Sequence, residues 1–234
     1  AKEEVKDEVE VAESPPEKVK EKPKKGRKKK IKEVKPDILV AELSELEAIK
    51  EEDLTEEQKE IHDTIVSGPR GHVVGPLRIW LNNPGLARSA QTVGEYARYG
   101  TSLSKGLSEL AIITTGRVWS SAFEWEHHAP LAIEGGIDPE NVNIISMGQR
   151  PNFTKVEEEA VFDFAAEANI LKNVSDNTYN NLVNILNETA AIDIVGICGY
   201  YSLISMTLNV FKVPSDTDKW PLPEIKDFSK MLKS

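Results

Sequence analysis

The sequence predicts an all-α protein preceded by a disordered, charged tail. Three observations carry that expectation. Apolar residues recur at three- and four-residue spacing over most of the chain between residues 54 and 210. Capping and breaking residues punctuate that stretch at helix-length intervals. No run alternates apolar and polar residues convincingly enough to read as a strand. No self-similar period of roughly 20–50 residues marks a repeat array.

Residues 1–36 alternate Lys, Glu, Pro and Val and contain no aromatic residue. Such a segment buries too little apolar surface to offset the entropy of ordering it, so residues 1–36 are expected to be a disordered tail and residues 37–234 the helical domain. Within the tail, Pro23-Lys24-Lys25-Gly26-Arg27-Lys28-Lys29-Lys30 reads either as a solvated stretch or as a contact for an anionic partner.

The helices follow in order. Thr55 is an N-cap ahead of Glu56–Glu57, and the helix runs toward Val66 before Gly68-Pro69-Arg70-Gly71 breaks it. A short apolar helix over about 77–81 ends at Asn82-Asn83-Pro84. Leu86, Ala90, Val93 and Tyr96 form one face of a helix over 86–99. Thr101-Ser102-Leu103-Ser104 opens a long helix carrying Leu107, Leu110, Ala111, Ile113 and Val118. A second, over 122–134, is closed by Gly135-Gly136. Asp138 caps a helix with Pro139 at its first position. Residues 155–171 and 175–187 are amphipathic. The last helix, 190–210, is apolar nearly all round and is expected to be central or buried between subunits.

Charge and cysteine content narrow the function classes. The tail holds 13 basic and 9 acidic residues, a net +4, whereas the remainder holds 16 and 30, a net −14. A helical part this acidic is a poor generic binder of nucleic acid or anionic membrane, leaving the basic tail as the one candidate for such contact. Cys198 is the sole cysteine, so no disulfide or two-cysteine redox cycle forms within a subunit. It is expected as a buried core thiol in a cytoplasmic protein. No membrane span and no signal core are read from the sequence.

The chemistry gathers at Glu124-Trp125-Glu126-His127-His128. Glu124 and His128 are four apart on one helix and share a face. A carboxylate beside an imidazole raises its pKa and fixes its tautomer, which tunes a proton donor for neutral pH. Glu109, on the preceding helix among apolar residues, needs a partner, and a hairpin of the two helices would bring it to the pair. The same spacing also suits a solvated surface pair. Glu124 and His128 would make two ligands of a metal site, but no third is indicated, and no metal is expected. His62, His72 and His127 read as surface or packing histidines.

These stretches resemble the carboxymuconolactone decarboxylase family. The likeness rests on Leu107-Ser108-Glu109-Leu110-Ala111-Ile112, then Glu124-Trp125-Glu126-His127-His128-Ala129-Pro130 and Gly135-Gly136-Ile137. It extends upstream to Gly68-Pro69-Arg70-Gly71 and Gly94-Glu95-Tyr96-Ala97-Arg98-Tyr99-Gly100. Downstream it takes in Gly199-Tyr200-Tyr201, Met206-Thr207-Leu208-Asn209 and Phe211-Lys212-Val213-Pro214. The similarity spans about residues 54–214. It implies an alkylhydroperoxidase D-like helical bundle with a central helical hairpin, assembled as a homo-oligomer, trimeric or hexameric.

The related alkylhydroperoxidase D proteins use a Glu, a Cys-x-x-Cys pair and a His. By the resemblance these fall at Glu109, at Ser121 and Glu124, and at His128, so the proton-handling ends are kept and the redox pair is missing. The namesake reaction, loss of carbon dioxide from a carboxylated lactone, requires no cofactor. The implied enzyme uses His128 as proton donor, oriented by Glu124, with Glu109 completing the network. Arg70, Arg98 and Arg117 are candidates for gripping substrate carboxylates. Trp119, Ser121, Trp125 and Tyr201 are candidates for the pocket wall. A lactone hydrolase or isomerase, or a non-catalytic oligomeric scaffold, are the competing expectations on the same fold.

Overall fold

Among the described residues, the longest uninterrupted buried stretch, Gly106–Arg117, makes one helix the centre of the packing. The computed structural model describes residues 51–215 and 222–233. The charged tail, its basic cluster and the first residues of the expected helical domain lie outside the described residues. Among the described residues the architecture is all-helical, with no strand.

The helices begin and end where local chemistry dictates. α1 (Glu56–Ser67) starts at Thr55 in a capping box, with Thr55 Oγ1 accepting from the Gln58 amide and Gln58 Oε1 accepting from the Thr55 amide. α2 (Pro76–Trp80) and α3 (Pro84–Glu95) each open on a proline, and Asn83 caps α3 by accepting from the Leu86 amide. The helical path expected to continue to residue 99 loosens instead into a π-type turn at Tyr96–Gly100.

α4 (Lys105–Val118) is capped by Ser104, and α5 (Ala122–Glu134) follows after a three-residue turn. That turn is a Schellman motif with a serine in the left-handed position. Ser120 has φ of 50°, its amide donates to the Arg117 carbonyl, and the Ser121 amide donates to the Gly116 carbonyl. α5 ends in the same motif with Gly136 at φ 95°. At the open end of the hairpin, a Cβ on Gly106 would stand 2.4 Å from the Gly135 carbonyl oxygen. Only glycine lets the two helices meet this closely.

α6 (Pro139–Ser146), α7 (Val156–Ile170), α8 (Asp176–Ile185) and α9 (Glu188–Val210) complete the described helices, and α4 packs against α5, α7 and α9. The enclosed central helix is therefore α4, although α9 is the more uniformly apolar. The polar side chains of α4 find partners inside: Thr114 and Thr115 donate to the Leu110 and Ala111 carbonyls, and Ser108 bonds Thr101. α9 buries one face through Ile194, Ile197, Tyr201 and Ile204, and leaves Ile192, Val195, Met206 and Val210 exposed. By length and composition alone α9 could cross a membrane, which the sequence reading had not anticipated. It serves here as a core helix with a second apolar face.

Candidate acid–base site

The α4–α5 hairpin places Glu109 one turn from the Gly106–Gly135 contact, facing the middle of α5. His128 is buried there between two carboxylates. Its Nδ1 lies 2.6 Å from Glu109 Oε2, a hydrogen bond between nearly inaccessible groups. Its Nε2 lies 3.3 Å from Glu124 Oε2, within ion-pair range but not aligned as a hydrogen bond, and that oxygen has no other polar partner. Burial alone would depress the His128 pKa; the two carboxylates outweigh it and hold the imidazole above its ordinary value. The convergence of Glu109, Glu124 and His128 is the arrangement that the hairpin and the four-residue spacing led one to expect.

A cavity of about 40 Å³ opens beside Glu124 and His128, lined also by Arg70, Arg98, Phe123 and Tyr201. The Tyr201 ring stands edge-on to His128, with centroids 5.1 Å apart. Burial drives the Tyr201 phenol well above its usual pKa, so it stays a neutral O–H donor.

Two arginines reach this cavity from separate elements. Arg70, in the loop after α1, donates through Nη2 to the Tyr200 hydroxyl at 3.3 Å, while its buried Nε has no partner. A Cβ on Gly94 would fall 2.0 Å from that hydroxyl and 2.6 Å from Arg70 Nη2, so glycine in α3 makes room for the pair. Arg98 sits on the π-type turn and donates to His127 Nε2 at 3.2 Å. The turn is fastened to α9 because Asp193 accepts from the Tyr96 hydroxyl and from both the amide and hydroxyl of Ser102, each at 2.7 Å.

Accepting from Arg98 requires a neutral His127. The His127 pKa is pushed down to about 4, first by partial burial of its ring and then by the neighbouring charges of His128 and Arg98. His127 keeps an exposed edge, as expected, but it also forms part of the cavity rim.

The remaining expected site residues are not brought to this cavity. Arg117 is fully buried and turned away from it: Nε donates to the Ser146 carbonyl, Nη1 to Ser120 and Nη2 to the Pro223 carbonyl, with the Phe228 ring beneath. Burial without a carboxylate partner lowers its pKa to about 10. Trp119 donates to Ser202 and lines a different cleft, beside Cys198 and Tyr179. Trp125 is core, its indole nitrogen unpartnered, and Ser121 is a fully buried helix cap whose hydroxyl has no partner. Phe123, which adjoins the pair in sequence, does line the cavity, and Val74, Pro76, Leu77 and Ile204, which the sequence did not single out, complete its wall. Cys198 is buried, and burial pushes its thiol pKa up, away from a reactive thiolate.

Among the described residues, no group of three or more His, Cys, Asp or Glu is disposed to hold a metal ion. No family model matches the chain, and no curated protein is significantly similar to it.

Proposed function

We propose that the protein is a cofactor-independent acid–base enzyme resembling carboxymuconolactone decarboxylase, acting on a small carboxylated lactone or a related keto or enol acid. The observation that carries this reading is the buried His128 held between Glu109 and Glu124, next to a cavity that two arginines line. Buried ionisable groups are costly unless paired, and a buried carboxylate–imidazole–carboxylate cluster beside a cavity has the character of a reactive site.

In this reading Arg70 and Arg98 grip the substrate carboxylates. The carbon–carbon bond to the departing carboxylate breaks, carbon dioxide leaves, and the electron pair delocalises through the ring double bond onto the lactone carbonyl. His128 then delivers the Nε2 proton to carbon. In this reading the roles first expected of the two glutamates are exchanged. Glu109, at 2.6 Å from Nδ1, orients the ring and sustains its charge. Glu124, whose Oε2 lies 3.3 Å from Nε2 without an aligned hydrogen bond, is on the substrate side of the histidine. The reading retains a homo-oligomer, supported by the exposed apolar residues of α9.

The test is release of carbon dioxide from γ-carboxy lactones and β-keto acids. His128→Ala should abolish turnover while leaving helicity intact. Full activity in that variant would remove His128 from the chemistry.

A further inference from the structure

The cavity beside His128 is far smaller than the roughly 300–1,000 Å³ that ligand sites occupy, whereas an adjoining cleft of about 530 Å³ falls within that range. The two share three walls: Val74, Phe123 and His127. The outer cleft is otherwise formed largely by apolar side chains, among them Val73, Ile79 and Val213.

Phe123 is the principal partition. It is half-buried at the start of α5, directly before Glu124, and its ring is seated on Gly75. A Cβ on Gly75 would stand 2.8 Å from both Cε1 and Cζ of that ring, and Gly75 itself has φ of 53°. Glycine there is therefore demanded twice, by backbone conformation and by the ring. The Phe123 side chain is thus a wall common to the cleft and the inner cavity.

We propose that the outer cleft binds a hydrocarbon arm of the substrate, and that Phe123 divides this arm from the reacting carboxylate end. The inference rests on the acid–base reading of His128 and adds the substrate class: a carboxylate carrying an extended apolar substituent. The inner cavity has charge to hold the acid but lacks space for the rest of the molecule. The outer cleft has that space, and it shares Val74, Phe123 and His127 with the cavity that holds the reacting groups. Phe123 and Val213 are thus specificity-determining residues, selecting for length and hydrophobicity.

The experiment titrates the full chain with acetate, hexanoate and decanoate, reading affinity by calorimetry and location by imidazole resonances. Affinity should rise with chain length, by up to about four-fold for each methylene that is fully buried. Acetate should perturb His127 and His128, while the longer acids should also perturb His72, which lines only the outer cleft. Val213→Trp should erase the gain with length; Val73→Trp fills the same cleft from another wall should the first variant fail to fold. Affinity that is flat with chain length, or a gain that survives filling the cleft, would overturn the inference alone. Failure of acetate to bind near His127 and His128 would overturn the carboxylate site as well.

Discussion

His128 is a buried cation-forming group whose charge depends on its neighbours. Its folded pKa stands above the ordinary histidine value of about 6.5. The stability this contributes is fully present below about pH 6.5 and is lost as pH rises through the folded value. Glu109→Gln keeps an acceptor at Nδ1 but removes the charge, so the His128 titration should move to lower pH. An unmoved imidazole titration would remove Glu109 as the partner. His127 has the opposite sign. With a folded pKa of about 4, it disfavours the folded state as pH falls from about 6.5 toward 4, and its resonances should be flat from pH 5.5 to 8. A His127 midpoint near 6.5 would contradict its place as acceptor from Arg98.

Much of this residue-level pattern was legible in the sequence. A carboxylate on an apolar helix and a Glu–His pair four residues apart each demanded company, and one hairpin satisfied both. Tyr200 was not legible, because its role depends on Gly94 leaving space for it from another helix. Arg117 and Trp119 were expected at the pocket by residue type, but their direction depends on the turn that follows them. The left-handed turn at Ser120 sends α5 back along one side of α4, and both side chains project elsewhere.

At the scale of elements, the α4–α5 hairpin carries the site, and the Gly106–Gly135 contact sets its spacing. Gly106→Ala gains up to about 1 kcal/mol in helix propensity, yet the new methyl meets a carbonyl of the backbone, which cannot swing aside. The clash dominates: net destabilisation of about 1–3 kcal/mol is expected, lowering Tm by about 2–12 °C. An unchanged Tm would show that the hairpin has slack. Arg117 is the second fastening, joining α4 to the end of α6 and to the C-terminal segment at Pro223. Arg117→Ala leaves a void and strips the buried Ser146 carbonyl and the more exposed Pro223 carbonyl of their donor. A loss of about 3 kcal/mol or more is expected in chemical unfolding, with carboxylate affinity unchanged in the folded fraction. Weakened carboxylate binding in a stable variant would return Arg117 to the site.

Helix boundaries were readable because caps and breakers act locally: Thr55, Asp138 and Gly136 all act where the sequence places them, while Asn83, read as a helix end, also caps the next helix. Which helix lies at the centre was not readable from apolarity. α4 carries Glu109, Thr114, Thr115 and Arg117 into the interior because each finds a partner there, whereas α9 exposes apolar residues at Ile192, Val195, Met206 and Val210.

At the scale of the whole molecule, that exposed face bears on assembly. Burying it between copies would remove apolar area from water, whereas a charge at its middle would oppose this. Met206→Glu should therefore shift the protein toward monomer in light scattering while helicity is kept. A wild-type protein that is already monomeric would remove the oligomer from the account.

If Glu109, His128 and Glu124 form a proton-delivering centre for decarboxylation, as proposed, the pH dependence of carbon dioxide release from a γ-carboxy lactone tests it most directly, measured for the wild-type protein and for Glu109→Gln. Wild-type activity should fall as pH rises past the raised His128 pKa, and this alkaline limb should be displaced to lower pH in the variant. Turnover with the same alkaline limb in both proteins, or no release of carbon dioxide at any pH, would contradict it.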